Sequence, residues 1–143
     1  MLVKNILISP LVYLIMYYVL KVGGIIIMKT ILVLGVGQIG KAITKRIIEQ
    51  KPEKIILHNL TKNESDNCCK YFSKYCKNIE LISSYGNIFM PYKFNKLTNM
   101  QEKLQYKDEL LRFYYSDLGP DILKKSTLYK LVQKWEPDLI VDA

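Results

Sequence analysis

The stretch TILVLGVGQIG, residues 30–40, decides the fold. Its first half, Ile31 to Leu34, is a short continuous apolar run, which is typical of a strand covered on both faces. Three glycines follow, and beyond them Ala42, Ile43 and Ile47 recur at the spacing of one helix face. The sequence therefore predicts a strand, a tight glycine turn and an amphipathic helix in direct succession.

The glycine turn predicts a binding site for a dinucleotide. Gly35 permits the tight turn, Gly37 lets the backbone approach a diphosphate, and Gly40 lets helix and strand pack closely. The helix that opens at Gln38 and Ile39 directs free N–H groups and the positive end of its dipole at the phosphates. A Rossmann-type nucleotide-binding domain is the fold that uses this arrangement.

The end of the second predicted strand bears on the choice of cofactor. Roughly 20 positions after the turn, such domains usually carry an acidic residue that binds the adenosine ribose. Asn59 occupies that place, so no carboxylate repels a 2′-phosphate, and Lys62 is near enough in sequence to attract one. This favours NADP over NAD. Alternatively, Asn59 only ends a strand and Lys62 faces solvent.

The remainder of the chain alternates strands and helices, as a parallel α/β sheet requires. We predict strands at 55–57, 79–82 and 139–141, helices at 66–77 and 121–135, and an insertion of loop and short helix at 90–119. Asp121 is the expected N-cap of the last helix. The predicted fold is a Rossmann-like parallel sheet with flanking helices, incomplete at about four strands, in one domain spanning 28–143.

Two further segments, GNIF at 86–89 and PDLIVD at 137–142, complete a family resemblance. With the glycine turn, they make residues 29–143 resemble the N-terminal part of an extended short-chain dehydrogenase/reductase, of the NAD(P)-dependent epimerase/dehydratase group. The turn departs from that family's usual G-x-x-G-x-x-G, which would place the first glycine at Leu34. The resemblance implies that Asn87, beside Ile88, lies against the cofactor's adenine, where the family usually has an acidic residue.

The same resemblance implies a catalytic Tyr-x-x-x-Lys pair, in which lysine lowers the pKa of the tyrosine. The spacing occurs at Tyr17–Lys21, which precedes the fold, and at Tyr92–Lys96, which lies in the insertion. We assign neither pair to catalysis. The expectation is a truncated oxidoreductase or epimerase whose catalytic half is missing. His58, at the end of the second strand, is expected to be structural.

The N-terminal residues 1–27 form an apolar extension. From Ile6 to Leu20 the chain carries no charge, but Pro10, Lys21 and a glycine pair interrupt the run to residue 27. One hypothesis is a dispensable extension ahead of a true start at Met28, in a cytoplasmic protein. The other is a membrane anchor formed by residues 6–27. The anchor would suit an alternative function, a non-catalytic nucleotide-sensing domain of a channel or transporter.

Charge, cysteines and strand edges limit the partners. The net charge is +8, but the basic residues are spread along the chain, so we predict no nucleic-acid site. Cys68, Cys69 and Cys76 are an odd number without a disulfide framework, and no metal site is predicted. The apolar strand at 139–141 would expose an edge, so self-association or a complementing subunit is expected.

Overall fold

The computed structural model describes residues 28–97, 99–117 and 119–143. Four strands and six α-helices, with one short 3₁₀ helix, make up this part of the chain. The strands are β1 (Thr30–Leu34), β2 (Lys54–Asn59), β3 (Glu80–Tyr85) and β4 (Leu139–Asp142). The helices are α1 (Gln38–Glu49), α2 (Lys62–Ser73), α3 (Met100–Gln105), α4 (Lys107–Tyr115), α5 (Pro120–Lys125) and α6 (Thr127–Trp135), and the 3₁₀ helix is Tyr92–Phe94.

All four strands are parallel, in the order β3-β2-β1-β4. This is the order of the first four strands of a doubly wound nucleotide-binding sheet. The predicted α/β fold, a Rossmann-like parallel sheet with flanking helices, is thereby confirmed. The predictions for residues 1–27, including the membrane anchor and the start at Met28, lie outside the described residues. Within the described part of the chain, no helix is long and apolar enough to cross a bilayer.

The strand side chains alternate between two cores. On one face, Ile31 and Val33 of β1 pack with Ile47 of α1 and Phe72 of α2. On the other face, the central strands pack against Leu131 of α6. Because both faces are covered, the central strands are continuously apolar, as the sequence predicts.

Asp138 joins the starts of β1 and β4. Its carboxylate accepts hydrogen bonds from the backbone N–H groups of Lys29 and Thr30, each at 2.8 Å, and its own N–H donates to the carbonyl of Thr30. These hydrogen bonds, to Thr30 first and then to Lys29, hold the pKa of Asp138 below its usual value. Asp138, the residue before β4, therefore fixes the register in which β4 pairs with β1.

Two of the predicted helices differ from those in the structure, one in its start and one by an internal break. The helix predicted over 66–77 begins earlier, at Lys62, because Thr61 and Glu64 form a reciprocal capping box. The helix predicted over 121–135 is two helices, separated at Ser126, whose hydroxyl caps α6 by accepting from the N–H of Tyr129.

Asp121 is also not an N-cap. Gly119 holds that position, and Asp121 lies in the first turn of α5. The break at Ser126 has a tertiary cause, since the backbone N–H and the hydroxyl of the buried Thr127 both donate to the carbonyl of Met90. The insertion at 90–119 contains α3 and α4, and its Met90, Phe94 and Leu110 form a small core of their own.

Candidate functional site

A cleft of about 800 Å³ opens at the carboxyl ends of the strands. This is where open parallel sheets bind their ligands, at the point where the strand order reverses. The cleft is lined by five of the nine residues predicted to bind a cofactor: Gly35, Gly37, Asn59, Asn87 and Ile88. Residues separated by more than 50 positions in sequence are thus brought to one surface.

Gly35 makes the turn out of β1. Its φ of +79° is a backbone conformation that side chains disfavour. A Cβ there would also lie 2.5 Å from the carbonyl oxygen of Ala143. The N–H of Gly35 donates to the carbonyl of His58 at 2.9 Å, which holds the turn against β2.

Gly40 and Gly37 meet different surroundings. A Cβ on Gly40 would collide with the carbonyl oxygen of Gly35, so the close packing of α1 on the turn requires a glycine. A Cβ on Gly37 would meet nothing within 4 Å, and its φ of −72° is ordinary. The protein itself therefore gives no steric reason for a glycine at position 37, which lines the cleft.

The start of α1 offers unpaired donors to the cleft. Gly37 is its N-cap, no side chain caps the helix, and no acidic residue lies in its first turn. The first backbone hydrogen bond runs from the N–H of Lys41 to the carbonyl of Gly37, at 2.9 Å. Neither Gln38 nor Ile39 lines the cleft, and the side chain of Ile39 is 65% exposed. A twelve-residue helix with a bare N-terminus favours an anion there.

Asn59 holds the glycine turn in place. Its Oδ1 accepts the N–H of Val36 at 2.7 Å, while its own backbone N–H donates to the hydroxyl of Ser65. Its Nδ2 has only a long contact, 3.9 Å, with the Sγ of Cys68. The side chain is therefore both a structural acceptor for the turn and a largely unused donor at the cleft.

Lys62, like Gln38, Ile39 and Gly40, is a predicted residue outside the lining of the cleft. It is the first residue of α2, its side chain is exposed, and it does not line the cleft. Among the lysines of the described chain, Lys41 is the one that lines it.

His58 is buried, 2% exposed, beneath the cleft. Its Nε2 donates to the carbonyl of Gly86 at 2.9 Å, which leaves Nδ1 to accept from the hydroxyl of Ser84, also at 2.9 Å. Burial lowers the pKa of His58, and the hydrogen bond to Gly86 opposes this effect only in part. A neutral imidazole that joins the ends of β2 and β3 has a structural role.

The end of β3 forms a compact turn. Gly86 has a φ of +133°, the N–H of Asn87 donates to the carbonyl of Asn95 at 2.7 Å, and the Oδ1 of Asn87 accepts from Phe89 at 2.9 Å. Asn87 and Ile88 thus line the cleft, with the Nδ2 of Asn87 as the polar group left over.

Sequence reasoning missed several residues of the cleft. Among them are Lys41, Leu60, Glu64, Cys68 and Phe89. The side chains of Leu60 and Phe89 are apolar but 56% and 74% exposed, an arrangement that suits the flat face of a base. Their positions directly after β2 and β3 were the available signal. Glu64 was missed because it lies before the predicted start of the helix at residue 66, and Cys68 because its place in the cleft depends on how α2 packs over the sheet.

The three cysteines are free thiols. Burial raises the pKa of the Cys69 thiol to about 11, and burial likewise raises the pKa of Cys68 and Cys76. Within the described residues, no three His, Cys, Asp or Glu side chains are grouped to hold a metal ion.

No protein-family model matches the chain, and no curated protein matches it.

Proposed function

We propose that the chain binds a dinucleotide, NADP or NAD, at the cleft, as the nucleotide-binding part of a short-chain dehydrogenase/reductase or a nucleotide-sugar epimerase-like oxidoreductase. One observation carries this proposal: Gly37 stands at the N-terminus of α1 with open space where its side chain would be. A diphosphate needs such an approach to backbone N–H groups, and nothing within the described protein uses it.

The residues present fit the cofactor. The bare N-terminus of α1 would hold the diphosphate, the donor of Asn59 would face the adenosine ribose, and Asn87 with Leu60 and Phe89 would hold the adenine. The cleft volume of about 800 Å³ is within the usual range of ligand sites. When bound, such a cofactor supplies hydride transfer.

No residue of the described chain is proposed as catalytic. Tyr92 lines a separate hollow beside α4, and the ammonium of Lys96 lies 4.6 Å from the ring centre of Tyr85. The two residues of this Tyr-x-x-x-Lys match therefore lack the shared site that a proton-transfer pair requires.

The first test is a titration of the full chain with NADPH and NADH, in which calorimetry measures binding and thermal unfolding measures stability. A ligand that binds only the folded state raises its stability by about 2.7 kcal/mol at a hundred times its Kd. A folded chain that neither nucleotide stabilises would contradict the proposal.

A matched pair of variants sharpens this test. Gly37→Ala adds a methyl group where the structure has open space, so the free energy of unfolding should change by less than about 1 kcal/mol. Nucleotide affinity should fall about tenfold or more, because the methyl group keeps the diphosphate from the backbone. Gly119→Ala is the control, since Gly119 is also an N-cap glycine in an open setting but lies away from the cleft. Equal nucleotide affinity in both variants would contradict the proposal that the glycine turn binds the diphosphate.

A further inference from the structure

The strongest unassigned feature of the cleft is the position of Lys41. It lies in the first turns of α1, where side chains incline towards the N-terminus of the helix and so towards the cleft mouth. It lines the cleft together with Asn59, Leu60 and Asn67, residues at the end of β2 and on α2. This is the side of the cleft where the adenosine ribose of a dinucleotide lies.

The charge of Lys41 is not neutralised by a carboxylate. None of the salt bridges within the described residues involves it. The one carboxylate nearby that lines the cleft, Glu64, accepts hydrogen bonds from the backbone N–H and the hydroxyl of Thr61, at 3.1 and 2.8 Å. Its capping role holds that carboxylate at the start of α2 through one oxygen, Oε2, and within the described residues no salt bridge joins it to Lys41.

The surroundings of Lys41 add positive charge. Its ammonium lies 5.7 Å from the ring centre of Tyr71, and the ammonium groups of Lys45 and Lys74 lie 5.8 and 4.8 Å from the same centre. Lys41 is the one of these three cations that lines the cleft, and the other two add to the positive potential around it. The same charge acts on Cys68, whose pKa burial raises and Lys41 partly lowers.

We infer that Lys41 binds the 2′-phosphate of NADP and thereby makes this chain select NADP over NAD, an inference that rests on the proposed nucleotide-binding function. Asn59 contributes by being uncharged, since a carboxylate in its place would repel the phosphate. Lys62, the cation that the sequence favours for this role, begins α2 outside the cleft lining.

The test compares single variants of the full chain in their affinity for NADPH and NADH, measured by calorimetric titration at low and at high salt. Lys41→Gln should weaken NADPH binding about tenfold, as expected for loss of one charge-assisted hydrogen bond at a partly exposed site, and should leave NADH binding nearly unchanged. Lys41→Arg should retain most of the preference. The difference in NADPH affinity between the Lys41→Gln variant and the unaltered chain should become smaller at high salt.

Lys62→Gln is the matched control, because it removes the same charge from an exposed position outside the cleft. It should leave both affinities unchanged. The inference is overturned if Lys41→Gln weakens NADPH and NADH equally, if it changes neither, or if Lys62→Gln has the larger effect. If the unaltered chain binds NADH at least as tightly as NADPH, the inference that Lys41 selects NADP is wrong, but the proposed nucleotide-binding function stands. If it binds neither nucleotide, both are wrong.

Discussion

At the scale of single residues, two glycines of one turn are present for opposite reasons. The contact of α1 with the carbonyl of Gly35 excludes any side chain at Gly40, whereas no neighbour within 4 Å excludes one at Gly37. The sequence could identify both as turn glycines, because their spacing follows from the geometry of a strand-to-helix junction. The motif also predicts that Gly40 allows close packing and that Gly37 admits a diphosphate, and the atoms beside the Cα of Gly40 account for the first of these roles.

The environment of His58 leads to a prediction about pH. Burial lowers its pKa from the ordinary 6.5, so the unfolded chain takes up a proton that the folded chain resists. The contribution of His58 to stability is therefore fully present above about pH 6.5 and is lost as the pH falls towards its lower folded-state pKa. The free energy of unfolding should decrease between pH 7.5 and pH 5.5, as measured by chemical denaturation.

His58→Gln removes the titrating group and isolates its share of this effect. The variant should be less stable at pH 7.5, because the paired contacts with Gly86 and Ser84 are imperfectly replaced, but its stability should vary less over the same pH interval. An equally steep decrease in both proteins would show that other groups cause it.

At the scale of elements, the sequence predicted whether a segment is a strand or a helix better than it predicted where that element begins and ends. Strands β1, β2 and β4 and helix α1 follow from apolar periodicity, since burial on one or both faces imposes it. The start of α2 was missed although its signal is local, a threonine three residues before a glutamate. The break before α6 depends instead on a contact between segments that are distant in sequence. Thr127 donates a hydrogen bond to Met90, which lies 37 positions away.

The capping box of α2 gives the prediction at this scale. Thr61→Ala removes the acceptor for the N–H of Glu64 and should lower the free energy of unfolding by about 1 kcal/mol. Thr61→Ser retains the hydroxyl and should stay within about 0.5 kcal/mol of the unaltered chain. Denaturant titration of the three proteins measures the differences. A Thr61→Ser variant as unstable as Thr61→Ala would assign the effect to the lost methyl group and not to the cap.

At the scale of the whole molecule, the sheet order brings the site together. Pairing of β1 with β2 and of β2 with β3 places the segments after their ends, with Asn59 and Asn87, beside the glycine turn. Much of the candidate site was predictable because parallel strands end at one edge. Lys41 and Glu64 were not, since their place in the cleft depends on how α1 and α2 pack over the sheet.

The same topology predicts association. In the described sheet β4 pairs with β1 on one side only, and the side chain of Ile140 is 41% exposed. Because unpaired strand edges recruit partners, we expect the chain to self-associate through β4, as a concentration-dependent increase in sedimentation. Ile140→Lys should weaken this association about tenfold.

Leu123→Lys provides the control for the edge, because Leu123 has the same exposure of 41% on α5. It should leave association unchanged. A chain that sediments as a monomer at all concentrations, or equal effects of the two lysine variants, would rule out β4 as the contact.

The hydrogen bonds that Asp138 accepts from Lys29 and Thr30 bear on the order in which the sheet forms. Lys29 and Thr30 lie 109 and 108 positions before Asp138, so β1 gains its second flank only from a segment that is distant in sequence. Contacts between such distant segments form slowly, because a long loop must close first. During folding, the flank of β1 that faces β4 therefore stays uncovered until residues 139–142 pair with it.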